Sequence, residues 1–146
     1  MRQERLDRER HTALLAAARA AAAGARAKHS GFRVGAAVLD EAGRVHLGCN
    51  VESDSYGLTI CAERVAVFAA LAAGAGNLVA LAVSCPDAAP VGATHASPTE
   101  RMPCGACRQI MAEFLAPDAT VVVDEVGEFS PGDLLPEAFR LRPPTA

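Results

Sequence analysis

"VAVFAALAAGAGNLVALAVSC", Val65 to Cys85, is the longest apolar stretch of the chain, and the way it divides decides the fold. Read unbroken, it is long enough to raise the question of a membrane span. "GAGN", Gly74 to Asn77, cuts it in two. Before the cut lies a strongly apolar helix over Cys61 to Ala73. After it, "LVALAVSC", Leu78 to Cys85, reads as a continuous strand of the fully buried type. A buried helix feeding a buried strand belongs to a layered α/β domain, so no membrane partner is expected.

Working outward, residues Glu4 to Ala23 are rich in Ala and Arg and free of proline, which predicts a helix. Its apolar face includes Leu6, Leu14 and Ala18, and Gly24 is a natural stop. "RVGAAVLD" and "RVHLGCNV" flank "EAG", predicting a β-hairpin from Arg33 to Val51. On the other side, Pro86 to Pro103 holds four of the nine prolines and no periodic pattern, a loop long enough to do more than connect. Cys104 to Leu115 is helical again, "ATVVVDE" is a second buried strand, and the tail carries a short turn, "GEFSPGD", before "LLPEAFRL". The order α-β-β-α-β-α-β predicts one sheet covered by helices on both faces. Right-handed crossovers make part of that sheet parallel. With no repeat and no internal boundary, residues 1–146 are expected to form a single domain.

Composition narrows the function. A length of 146 residues suffices for one core, and 51% hydrophobic content favours folding over disorder. A net charge of −3 without a basic block, and only six aromatic side chains (five Phe, one Tyr), argue against a nucleic-acid partner. A weakly charged small molecule fits better. The N-terminus "MRQERLDRERHTALL" is charged where a signal peptide would turn apolar, and Glu4, Asp7 and Glu9 argue against a transit peptide. The expected compartment is therefore the cytoplasm. There the five cysteines stay reduced, and metal ligation or catalysis is favoured over disulfides.

Three of those cysteines sit where helices begin. In "PCGACRQIMAEF", Pro103 suits a first helical position, which puts Cys104 and Cys107 in the opening turn on one face. Cys61 opens the preceding helix. Three thiolates would leave a tetrahedral Zn²⁺ one open position, the arrangement of a catalytic site. Helix N-termini stabilise thiolates. The three sulfurs nevertheless over-neutralise the ion, so Arg64 or Arg108 is expected to hydrogen-bond to sulfur, with Arg64 preferred. Glu63, two residues beyond Cys61, can reach over the open position and handle a proton without being a ligand. Cys49 or Cys85 as a fourth ligand would instead close a non-catalytic structural zinc site, although both read more naturally as small core residues.

CxE at one helix start and PCxxC at another form a joint signature of zinc deaminases. With "FRVGAAVL", "GCNVE", "YGLTICAER", "PCGACRQ" and "LLPEAF" in order, the chain resembles the small cytidine deaminases of the three-cysteine class over nearly its whole length. The resemblance implies a three-layer α-β-α fold with a mixed sheet of about five strands, and an assembly into homotetramers with shared active sites. It implies hydrolytic deamination of cytidine or 2′-deoxycytidine to the uracil nucleoside and ammonia, in pyrimidine salvage. Water activated by Zn²⁺ attacks C4, with Cys61, Cys104 and Cys107 as ligands and Glu63 as proton shuttle. The same resemblance places Phe32 against the pyrimidine, the Ala62 N–H on the base carbonyl, Asn50 and Glu52 on the ribose, and Phe139 in a neighbouring subunit's pocket. Asn50 and Glu52, two apart on an extended segment, face the same way in any case.

Departures from the family pattern concern the substrate. Ser53-Asp54 follows "NVE" where Asn-Ala is common, placing a negative charge near the sugar site that disfavours a phosphorylated substrate. It also admits a rival, deamination of a cationic aminopyrimidine nucleoside such as a blasticidin-type antibiotic. "KHS", Lys28 to Ser30, replaces an aromatic before the serine, so His29 is either a sugar-edge residue or a solvated loop histidine. Met102 stands where Ser or Thr is usual, in a segment longer and more charged than in the family.

Overall fold

The computed structural model describes residues 2–94 and 97–144, with side chains from residue 7 onward. Leu6 and His95 lie outside the described side chains. Helix α1 (Arg2–Ala21) ends in a 3₁₀ turn that reaches Gly24. The hairpin follows as β1 (Gly35–Asp40) and β2 (Val45–Cys49), then α2 (Ala62–Ala72), β3 (Leu78–Ser84), α3 (Gly105–Phe114), β4 (Leu115–Val123), β5 (Gly127–Phe129) and the single turn α4 (Pro131–Leu134). The expected cut at Gly74–Asn77 separates α2 from β3, and no described helix is long and apolar enough to cross a membrane.

Among the described residues five strands lie in the order β2-β1-β3-β4-β5. Only β3 and β4 are parallel, joined through α3, and the other three pairs are antiparallel. Alternation along the strands sorts side chains onto two faces. Ala37, Ala80, Ala82 and Val122 meet Leu14 and Ala18 of α1. Ala36, Val38, Leu81, Val83, Val121 and Val123 meet α2 and α3 through Ala62, Ala66, Val67 and Met111. The result is three layers, α1 over the sheet over α2 and α3.

Two details differ from expectation. The segment read as the turn "GEFSPGD" contains β5, whose three residues pair with Val121–Val123. Pro103 lies two residues before α3, because Cys104 keeps an extended backbone (φ −69°, ψ 169°) and caps the helix that Gly105 begins.

What matters for the site is the seating of α2. It crosses β2 at Gly48, where any side chain would run into the backbone of Ala62 and Ala66. This close approach, with the small faces of Ala62, Ala66 and Ala70 buried, brings the N-terminus of α2 to that of α3.

Candidate active site

Cys61 caps α2 and Cys104 caps α3, neither by a side-chain hydrogen bond, and Cys107 sits in the first turn of α3. Their three sulfurs lie within 4.8 Å of one another, and Cys61 Sγ and Cys104 Sγ are 3.8 Å apart. A tetrahedral ion with Zn–S bonds of about 2.3 Å holds its sulfurs roughly 3.8 Å apart, so the cluster has the spacing a zinc ion needs. Among the described residues no fourth His, Cys, Asp or Glu joins the cluster, and Cys49 and Cys85 lie outside it. Of the two candidate arginines, Arg64 is the one on sulfur, its Nη2 donating to Cys61 Sγ at 3.6 Å. Its buried Nε has no hydrogen-bond partner among the described residues. Arg108 instead donates to the carbonyls of Pro103 (2.8 Å) and Leu134 (2.9 Å), fixing the start of α3.

The electrostatics follow from this packing. A hydrogen bond from Cys107 and another from Arg64 pull the Cys61 thiol down to about 5 against the opposing effect of burial. Cys107 moves the opposite way, held protonated by that hydrogen bond and by burial. The first negative charge of the cluster therefore rests on Cys61, beside the Arg64 guanidinium. Glu63, only 5% exposed, has its carboxyl pushed up to about 7, by burial first and by the Cys61 thiolate second. A carboxyl with that affinity can both take up and give back a proton near neutrality.

These groups open into a cleft of about 280 Å³ whose lining includes Phe32, Asn50, Glu52, Cys61, Glu63 and Cys104. Asn50 clasps the backbone just ahead of β1, accepting from Val34 N (2.9 Å) and donating to Phe32 O (2.8 Å). Its carboxamide keeps one N–H for a ligand. Glu52 accepts from His29 N, Ser30 N and Ser30 Oγ at 2.8, 2.9 and 2.5 Å, and the hydroxyl and amides of Ser30 and His29 hold its carboxyl below the usual range. Both residues thus fix the cleft wall as well as face it. Ala62, wholly buried, contributes the first backbone N–H of α2, a donor the helix itself cannot satisfy. Phe139 is 68% exposed and does not line this cleft; its carbonyl accepts from Gln109 at 2.9 Å, running the tail along α3.

His29 and Asp54 meet each other. Asp54 Oδ1 lies 2.7 Å from Lys28 Nζ and 3.2 Å from His29 Nε2, and His29 packs edge-on against Tyr56. Asp54 is consequently a compensated charge. Cys85, which the sequence offered as a core residue or a fourth ligand, lines the cleft, and sequence reasoning missed Glu100 and Arg101 beside Met102. The only hint was the length of the 86–103 loop.

Three thiols on two helix N-termini, with a buried carboxyl lining the same cleft, form the donor set of a candidate metal site on an α-β-α sandwich. Residues 8–123 match the family described as the cytidine and deoxycytidylate deaminase zinc-binding region. The cytidine deaminase of Mycobacterium tuberculosis is 48% identical over 122 residues, 83% of each chain. That of Halalkalibacterium halodurans is 42% identical over 120 residues, 80% of this chain and 83% of the relative. The crystal structure of cytidine deaminase from Burkholderia pseudomallei superposes with a TM-score of 0.75 at 45% identity, covering 88% of this chain and 98% of that one. The chain belongs to the cytidine and deoxycytidylate deaminase family and is a zinc-dependent deaminase.

Proposed function

We propose that the chain deaminates cytidine and 2′-deoxycytidine hydrolytically to the corresponding uracil nucleosides, with Glu63 as the proton-transferring group. The carrying observation is the meeting of the three sulfurs and a buried, proton-ready carboxyl at one cleft. Cys61, Cys104 and Cys107 would hold the zinc ion, which supplies a Lewis acid and a water acidified enough to act as a nucleophile at neutral pH. Glu63 takes a proton from the attacking water and delivers it to N3 of the base; a second proton, from the hydroxyl added at C4, passes through Glu63 to the amine, which leaves as ammonia. The Ala62 N–H holds the base carbonyl, Phe32 packs against the ring, and Asn50 and Glu52 meet the sugar hydroxyls. Arg64 offsets the charge of the sulfurs.

Glu52, Glu63 and Glu100 line the cleft against one cation, Arg101, which Glu125 already pairs, and this acidic excess favours a nucleoside over a phosphorylated substrate. Asp54, already paired to Lys28, offers little to a cationic substituent, which weighs against the antibiotic-type substrate. A structural zinc site is disfavoured because no fourth ligand is at hand among the described residues. We place the enzyme in the cytoplasm, in pyrimidine salvage, as a single domain that assembles into a homotetramer, with the exposed Phe139 entering a neighbour's cleft.

A substrate panel followed by ultraviolet absorbance tests the reading. Cytidine and deoxycytidine should be consumed with ammonia release, while cytidine 5′-phosphate is left; turnover of another aminopyrimidine without cytidine would overturn it. Light scattering on the same sample should give four chains per particle, and a fully active monomer would refute the shared site.

A further inference from the structure

We propose that Arg101 is a positioning residue for the substrate side of the cleft, held by Glu125 across the fold; the proposal rests on the deaminase reading above. Arg101 is 7% exposed and lines the cleft between Glu100 and Met102. A buried guanidinium requires a counter-charge and acceptors. Its Nη2 donates to the carbonyl of Ala89 at 2.9 Å and lies 2.9 Å from Glu125 Oε2. One side chain thereby ties the beginning of the 86–103 loop to its end, and both to the turn between β4 and β5.

That turn is built to present Glu125. Its backbone has φ +61°, a left-handed conformation that a glutamate adopts only where the surroundings hold it. Next to it, Asp124 is pinned from two sides. It accepts from Arg19 Nε (2.8 Å) and Nη2 (2.6 Å) of α1 and from Ser84 Oγ (2.6 Å) of β3, while its N–H donates to Val83 O at 3.0 Å. Val126 N donates back to Val123 O at 3.0 Å and closes the turn. Asp124 faces α1 and Glu125 faces the loop, so the rigid end of the sheet is the anchor against which Arg101 pulls.

The metal side has its own fastening, because Arg108 Nε donates to Pro103 O at 2.8 Å and fixes the chain just before Cys104. Loss of the Arg101–Glu125 link should therefore loosen the wall at Glu100–Met102 and leave the sulfurs where they are. This separation gives the role a signature that general destabilisation lacks.

Two variants test it in the zinc-loaded enzyme. Glu125→Gly removes the carboxylate at a position whose positive φ glycine accepts freely, so folding is preserved. Arg101→Met removes the charge and keeps the length. Each is expected to retain one zinc per chain and to raise KM for cytidine about tenfold with kcat within about twofold, the pattern of a displaced binding wall. The double variant should be no worse than Arg101→Met alone, because that substitution already breaks both ties of Arg101, to Ala89 and to Glu125. Hydrogen exchange supplies a readout free of substrate: protection of the Met102 amide, which donates to Thr99 O at 3.3 Å, should fall in Glu125→Gly. An unchanged KM in Glu125→Gly, multiplying losses in the double variant, or loss of zinc would each overturn the proposal. Wild-type protein inert toward cytidine would refute the substrate assignment instead, and the exchange measurement would then decide the Arg101 link by itself.

Discussion

Burial and chemistry converge on the side chain of Glu63. Its carboxyl is almost out of contact with water, and that isolation lifts it to about 7. Glu63→Gln keeps the shape but cannot carry a proton. The account predicts a drop in kcat on the order of a thousandfold, with zinc content unchanged and Tm equal or higher, since a neutral amide carries no buried charge. Activity within a few-fold of wild type would remove Glu63 from the mechanism. This residue was legible in the sequence because its signal is local: a carboxylate two residues past a cysteine at a helix start. Asp54 was not, because its meaning depends on Lys28 and His29, which come to it only through folding. Arg101 gave no signal for the same reason, its partners lying in a distant turn and at the far end of its own loop.

Among the elements, α2 carries two of the groups that matter, and its height above the sheet is set by Gly48. Gly48→Ala would drive a methyl into the backbone of Ala62 and Ala66 and lift the end that bears Cys61 and Glu63. Gly35→Ala makes the equivalent clash with Ala18 of α1 and Ala22 of the 3₁₀ turn that follows it, on the opposite face. Both are expected to lower stability by about 1–3 kcal/mol. Only Gly48→Ala should also weaken zinc binding, as read by competition with a chelator; equal zinc affinity in the two variants would contradict the seating of α2 as the determinant. The long elements were readable because period and length agree, as in the buried strand β3. The three residues of β5 were not. "GEF" has no β-branched run, and only pairing with β4 makes it a strand.

For the whole molecule, acid sensitivity follows from carboxylates that gain partners on folding. Burial opposes ionisation of Asp40, but hydrogen bonds from His46 and from the Arg44 backbone and side chain outweigh it and bring the carboxyl down to about 2. Asp87 is likewise at about 2, through Arg33. Because these folded values lie below the ordinary carboxylate value of about 4, the stabilisation is complete above that pH and is lost as pH falls from about 4 toward 2. Asp40→Asn should lower Tm at neutral pH and show a shallower decline across that window by calorimetry. Parallel curves would deny Asp40 its part. Three sulfurs would hold one zinc ion and leave a fourth position beside Glu63 for water. X-ray absorption at the zinc edge, on a sample shown to deaminate cytidine, tests it most directly. Three Zn–S contacts near about 2.3 Å and one lighter oxygen or nitrogen neighbour are expected; four sulfurs, or fewer than three, would rule out the three-sulfur site.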